Sequence, residues 1–467
     1  MNKLPALLFL WAILFLPACR KDSFVTGKNA FVHFSSDTLS FDTVFTTTGS
    51  ITQSLKIING NDRKLLLSGI KLMGGSSSHF GINIDGSPGP EQDNIELAAG
   101  DSLYIFVAVR IDPNQAGLPF IIQDSIQVSS GDNRQYIQLQ AWGQNARFLR
   151  NQTITGQVTW DNKLPYVILG GLRIDSGATL SIPAGCRIYL HADAPLLVDG
   201  TLQVTGDKYD SARVTFQGDR LDDPYRDFPG SWPGIYFRET SKGSHLGYTI
   251  IKNAYQAIVA SSLPAGGIPK VILDQCIIDN SYDAGILCAQ SSLQATNCLI
   301  SNCGKNVVLG FGGNYQFTHC TVASYSNTYL SHTLPVLTLS NYLSQGSTIV
   351  PADLQANFIN CIFWGDNGNV DNEVQVSRQG NTLFSVNFSN CLWKVKTAPT
   401  GVGANNMLVN SNPSFDSVDN NKRFYDFHLK AASPALDKGQ LTGILFDLDG
   451  NPRIVAGAPD LGCYERQ

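Results

Sequence analysis

The sequence predicts an all-β chain, a right-handed parallel β-helix (solenoid) preceded by a small Ig-like β-sandwich. Two features of the chain carry this. Residues 31–146 alternate apolar and polar side chains in short runs separated by turn residues, the period of half-buried strands. Beyond residue 245 a short cysteine-bearing motif recurs at intervals of 22 to 41 residues, the signature of stacked coils.

The N-terminus reads as a targeting segment at residues 1–18. Lys3 precedes an apolar run from Leu4 to Phe15, too short for a permanent membrane helix and suited to an export signal. It ends in Leu16, Pro17, Ala18 and Cys19, which resembles the bacterial lipobox, in which the cysteine is acylated and becomes the new N-terminus. The resemblance implies lipidation at Cys19, a linker over 19–30 and a membrane partner through the anchor. Arg20 stands where an Asp would signal retention at the inner membrane, so the expected location is the outer membrane, with the cell surface also open. Formal net charge is −5 and no basic patch or run stands out, which argues against a nucleic-acid partner.

In the 31–146 module, alternation is clean over Leu39–Phe45 and Ser54–Asn59, and continues through Leu65–Met73, Ser102–Val109, Asp124–Val128 and Tyr136–Trp142. Asn59 to Asp62, Gly74-Gly75 and Asp85 to Pro90 punctuate them. About seven strands in roughly 110 residues fit an Ig-like sandwich. The segment also resembles the Ig-like modules that precede β-helices in Bacteroides-type lipoproteins.

From 147 to 467 the strands are shorter. Tyr248–Asn253 is echoed by Gln275–Asn280 and Asn297–Asn302, then by His319–Val322, Asn360–Phe363 and Asn390–Trp393. A coil cannot bury its apolar residues alone, so coils stack and equivalent residues pile up about 4.8 Å apart. Cys276, Cys298, Cys320, Cys361 and Cys391 each share a strand face with an apolar residue two places on, so they are assigned to the core as small apolar side chains. Asn253, Asn280 and Asn302 are expected to form an amide ladder at a corner. About 25 residues per coil gives around eleven coils and a length near 50 Å. Residues 328–356 break the period and are expected to project as a loop. Cys288 and Cys303 fall outside the column and are free to pair; no CxxC or HExxH metal motif occurs.

The C-terminus carries Ser433 to Asp437, Asp447 to Arg453 and Pro459 to Glu465. These closely resemble the terminal signature of bacterial parallel β-helix proteins of the pectin-lyase-like superfamily, over residues from about 150 to the end. The expected role of 430–467 is a cap on the last coil. The superfamily is rich in enzymes acting on acidic glycans, so polysaccharide is an expected partner.

One excursion, residues 218–235, concentrates chemistry. Asp222, Asp223, Asp227 and Arg226 are candidate catalytic groups, because paired carboxylates serve as general acid and base; carboxylates also make calcium a candidate cofactor. Asp219, Arg220, Tyr225 and Trp232 are candidate sugar-binding residues. The competing structural reading has Asp–Arg pairs riveting a long loop and Trp232 covering the core. Three functions follow: a non-catalytic glycan-binding or structural surface protein, a polysaccharide lyase or glycoside hydrolase, or a protein-binding adhesin.

Overall fold

The computed structural model describes residues 23–25, 32–46, 49–114, 119–264, 266–345, 348–366, 369–455 and 457–467. The chain divides into two compact units, residues 1–145 and 146–467. Cys19 lies outside the described residues.

The first unit is a sandwich of two five-stranded sheets. One orders His33–Phe34, Gln53–Ile58, Ser102–Val109, Phe80–Ile84 and Ser87–Pro88; the other orders Thr38–Phe45, Asn133–Gln144, Phe120–Ser130, Leu65–Leu72 and Glu91–Leu97. Alternation makes the core: Leu55, Ile57, Leu67, Ile70, Ile105, Val107, Ile126 and Ile137 interleave between the sheets. Among the described residues ten strands form where about seven are expected. Glu91–Leu97 has no apolar alternation because it pairs on one side only, antiparallel to Leu65–Leu72, and leaves most of its side chains in solvent.

The second unit winds one parallel sheet of 26 strands into a three-faced β-helix. Successive rungs of the first face are Val214–Gly218, Thr249–Lys252, Ile277–Asp279, Leu299–Ser301, Thr321–Ser324, Ile362–Gly365 and Leu392–Trp393. Register is strict: Ile277 lies beside Leu299, Leu299 beside Thr321, Thr321 beside Ile362, and Ile362 beside Leu392. The five repeat cysteines, one residue earlier on each rung, therefore stack as a column, and all are fully buried and free. Ile278, Ile300, Val322, Phe363 and Trp393 form the adjoining inward column.

Cys288 and Cys303 do not pair. Both are buried free thiols, and burial pushes each up to about 12. The reason is geometric: Cys288 stacks in register over Ala260 on the second face, while Cys303 follows the first-face strand Leu299–Ser301 at the next corner, its thiol donating to the Ser301 carbonyl. Thiolate is the reactive form, so these nine body cysteines should be inert toward an aqueous thiol reagent in the native protein and all nine should react after denaturation. Native labelling of any of them, read by mass spectrometry, would contradict this packing.

The period break at 328–356 is smaller than a projecting loop. Leu337–Ser340 and Leu354–Ile359 are ordinary rungs paired to Asn306–Thr318, and Tyr342–Gln345 and Thr348–Pro351 leave the coil as their own antiparallel pair. The polar, turn-rich sequence of that hairpin hides the rungs on either side.

Residues 430–467 do not cap the last coil. They run along the outside of the first face, where Leu299, Ala323, Ile362 and Leu392 point outward and are covered by Ala435, Leu448, Leu461 and Cys463. An amide column holds them there. The residue before each cysteine adopts left-handed backbone, with φ of 53° at Gln275, 50° at Asn297, 52° at His319, 55° at Asn360 and 50° at Asn390, a conformation asparagine tolerates. Asn297 Nδ2 donates to the Phe446 carbonyl, Asn360 Nδ2 to that of Gln440, and Asn390 Nδ2 to that of Lys438. An outward apolar stripe on the coil needs a cover more than the coil end needs a cap.

Candidate functional site

The charged groups of 218–235 are paired, some with one another and some with residues outside the excursion. Arg220 binds Asp222 with two hydrogen bonds of 2.7 and 2.8 Å and lies 4.0 Å from the Tyr225 ring centroid. Arg226 meets Asp223 at 2.9 Å, and Asp219 meets His191 at 2.7 Å. Asp222 and Asp223 thus each face a separate guanidinium, not a common groove. Trp232 is not an exposed stacking residue. It is completely buried in the coil core, bridges Ala254, and its indole Nε1 donates to the Lys252 carbonyl at 2.9 Å. Gly234 makes the entry possible: its φ is +128° and a Cβ there would sit 1.7 Å from the Gln256 carbonyl oxygen.

Asp227 of this set lines a pocket. The excursion crosses the corner of the coil where the Asn253, Asn280 and Asn302 ladder stands, with φ of 62°, 56° and 50°. Asn280 Nδ2 donates to Asn253 Oδ1 at 2.8 Å and to the Asp227 carbonyl at 2.9 Å, while Asn253 Nδ2 donates to the Arg226 carbonyl. Asn302 breaks the ladder, turning its amide to Asp279 Oδ1 at 3.2 Å. The ladder is therefore both corner and anchor for the excursion.

Beside it lies a pocket of about 150 Å³. Its floor is the outward side of the first face, Lys252 and Asp279 with the three ladder asparagines; one wall is Asp227. Asn327 supplies another, from the segment after Thr321–Ser324, its Oδ1 holding the backbone N–H groups of Tyr329 and Leu330. The remaining wall is Lys422, Arg423 and Tyr425, from the hairpin of Phe415–Asp419 and Phe424–Leu429. Arg423 ties that wall to the excursion, 3.2 Å from Asp227 and 4.5 Å from the Tyr329 ring centroid, and Tyr329 packs edge-on against Phe228.

The two carboxylates in the pocket sit in different surroundings. Burial raises Asp279, opposed by hydrogen bonds from Ser301 Oγ and Asn302. Asp227 faces Arg423 and, at 3.8 Å, Arg226. The Lys252 ammonium, one rung from Asp279 in register, makes no hydrogen bond or ion pair among the described residues and acts on Asp279 only through its charge. The arrangement offers donors and acceptors side by side, which suits a ligand rich in hydroxyl groups, each able to give and accept.

Among the described residues no group of three or more His, Cys, Asp or Glu side chains is placed to hold a metal ion. The Asp447 carboxylate, near the C-terminal signature, is already engaged by the backbone N–H groups of Asp449, Asn451 and Glu465.

Lys252, Asp279, Asn327, Lys422, Arg423 and Tyr425 were not legible as a site. Lys252 and Asp279 do give a signal, being the charged residues just before ladder asparagines; the others come from segments far apart in the chain.

No family model matches the chain, and no curated protein matches it. Solved structures resemble parts of it. A family 123 glycoside hydrolase from Clostridium perfringens is 10% identical over 27% of this chain and 30% of that one, with a TM-score of 0.19. A Porphyromonas gingivalis protein of unknown function is 10% identical over 27% of this chain and 60% of that one, TM-score 0.19. The ASH/PapD-like domain 7 of human CEP192 is 8% identical over 26% of this chain and 89% of that one, TM-score 0.18. The chain thus spans less than two thirds of the first two structures, and likenesses this slight carry no argument about its chemistry.

Proposed function

We propose that this chain is a lipid-anchored envelope protein whose β-helix binds saccharide without cleaving it, in the pocket between Asp227, Asp279 and Arg423. The observation that carries the reading is the convergence of three separate excursions on one polar pocket over the asparagine corner. A purely structural coil has no need of hydrogen-bonding groups gathered from so many segments. Pairing of Asp222 and Asp223 with their own arginines supports a riveted loop and not a pair of catalytic carboxylates.

The test is a broad panel of neutral and acidic oligosaccharides scored for binding and, in parallel, for new reducing ends and unsaturated products. Binding of at least one member is expected, with loss of about tenfold or more in affinity for Asn280→Ala or Lys252→Ala, the size of one or two lost hydrogen bonds. A panel in which nothing binds would end the reading.

A second reading, a glycoside hydrolase, is favoured by one observation: Asp279 is raised by burial while Asp227 faces guanidinium, the separation of environments that assigns acid and base. Turnover abolished by Asp279→Asn would establish it in place of the first.

The anchor reading rests on Leu16 to Cys19. Cys19→Ala should move the protein from the membrane fraction to the soluble fraction; retention in the membrane would reject lipidation.

A further inference from the structure

We propose that His428, which does not line the pocket, is the positioning residue that seats the pocket's hairpin wall. The hairpin of Phe415–Asp419 and Phe424–Leu429 carries Lys422, Arg423 and Tyr425 into the pocket. One side of it is apolar, with Phe415, Phe427 and Leu429 buried against Trp364 and Leu392. That contact is greasy and has no directional preference. The directional contact is His428. Its Nδ1 meets Asp426 Oδ1 of the same hairpin at 2.5 Å, its Nε2 meets Asp449 Oδ2 of the C-terminal segment at 2.8 Å, and its ring stacks on Tyr464 with centroids 3.8 Å apart.

The charged and titratable groups facing the imidazole are Asp426 from its own strand, and Asp449 and Tyr464 from the C-terminal segment; Arg213 lies 3.9 Å behind Asp449. With a carboxylate on each nitrogen, both ring nitrogens must carry protons to donate. The Asp449 hydrogen bond, and then Asp426, against the cost of burial, raise His428 from 6.5 to about 9. A base raised on folding stabilises fully below its unfolded value, here about 6.5, and that contribution is lost as pH rises through about 9. At neutral pH the clamp is therefore shut, and alkali releases the hairpin from Asp449.

This rests on the pocket as a binding site only for its consequence, so the experiment reads the hairpin itself. Amide hydrogen exchange of the whole protein, corrected for intrinsic rates, is followed from pH 7 to pH 10. Protection over 419–429 should fall roughly tenfold across a midpoint near 9, a discounted effect because the imidazole is partly exposed. The rungs Thr249–Lys252 and Ile277–Asp279 should keep their protection. Asp449→Asn should move the midpoint down by about one pH unit or more, by removing one of the two carboxylates. His428→Gln should give low protection with no step. A flat profile in the native protein, an unmoved midpoint in Asp449→Asn, or simultaneous loss of the rungs would overturn the proposal. If the hairpin loosens as expected while no saccharide binds, the clamp stands and the saccharide reading falls; if a saccharide binds and the profile is flat, the reverse holds.

Discussion

Arg453→Ala should destabilise the β-helix unit by roughly 3–5 kcal/mol, the usual cost of removing one partner from a buried, hydrogen-bonded charge site. Arg453 has no exposed surface. Its Nη2 donates to Asn297 Oδ1 at 2.7 Å and to the Cys463 carbonyl at 2.9 Å, and its Nη1 lies 3.5 Å from Glu465 Oε2. The guanidinium thus joins the C-terminal segment to the asparagine column of the coil. Burial pulls Arg453 down and pushes Glu465 up to about 8, so the carboxyl is held largely protonated at neutral pH and the pair is fully ionic only above about 8. Removing the arginine leaves Asn297 Oδ1 and the Cys463 carbonyl unanswered in a dry site, and Glu465 with the Asp460 backbone N–H alone. Thermal and denaturant unfolding measure the loss, and the double variant Arg453→Met with Glu465→Gln should recover about 1–3 kcal/mol of it. A single variant as stable as the parent would mean the segment is not held by this contact. The pair also has a pH consequence. Glu465 is raised, so the stability it contributes is complete below about 4.5 and is lost as pH rises through about 8.

The coil was readable because its physics is local and periodic. A cysteine with an apolar residue two places on, set four residues before an asparagine corner in Cys276–Asn280 and Cys298–Asn302, specifies an inward face and a bend without reference to any distant segment. The same lines of sequence held more than was taken from them. Asn297, Asn360 and Asn390 stand immediately before their cysteines, yet their partners are the backbone carbonyls of Phe446, Gln440 and Lys438, and a carbonyl leaves no mark in a sequence. The terminal motif read as a cap for that reason. The pocket was hidden by distance: Asp227 is brought to Arg423 across 196 residues. What was legible there was composition, since the acidic and basic residues of 219–227 stood out, but pairing decided their roles. Arg220 takes Asp222 and Arg226 takes Asp223, leaving only Asp227 to meet the far segment.

Trp232→Ala should cost about 3–5 kcal/mol, the range for deleting a large aromatic side chain from a packed core. The indole is buried in the coil beside Ala254, a small residue that leaves it room, so the variant opens a cavity that the stacked rungs cannot close without breaking register. It also frees the Lys252 carbonyl, which Nε1 now holds. Trp232→Phe separates the two effects: it keeps most of the ring volume and loses the N–H, for an expected cost nearer 1–2 kcal/mol. An exposed sugar-stacking tryptophan behaves in the opposite way, with stability unchanged and affinity lost. Unfolding midpoints and, below them, saccharide affinity should therefore be measured on both variants. A Trp232→Ala protein that melts with the parent would place the side chain outside the core and undo the packing described for this corner. Because Lys252 floors the pocket, some loss of binding is expected in Trp232→Ala, but only in proportion to the rung's loosening, and Trp232→Phe should bind nearly as the parent does.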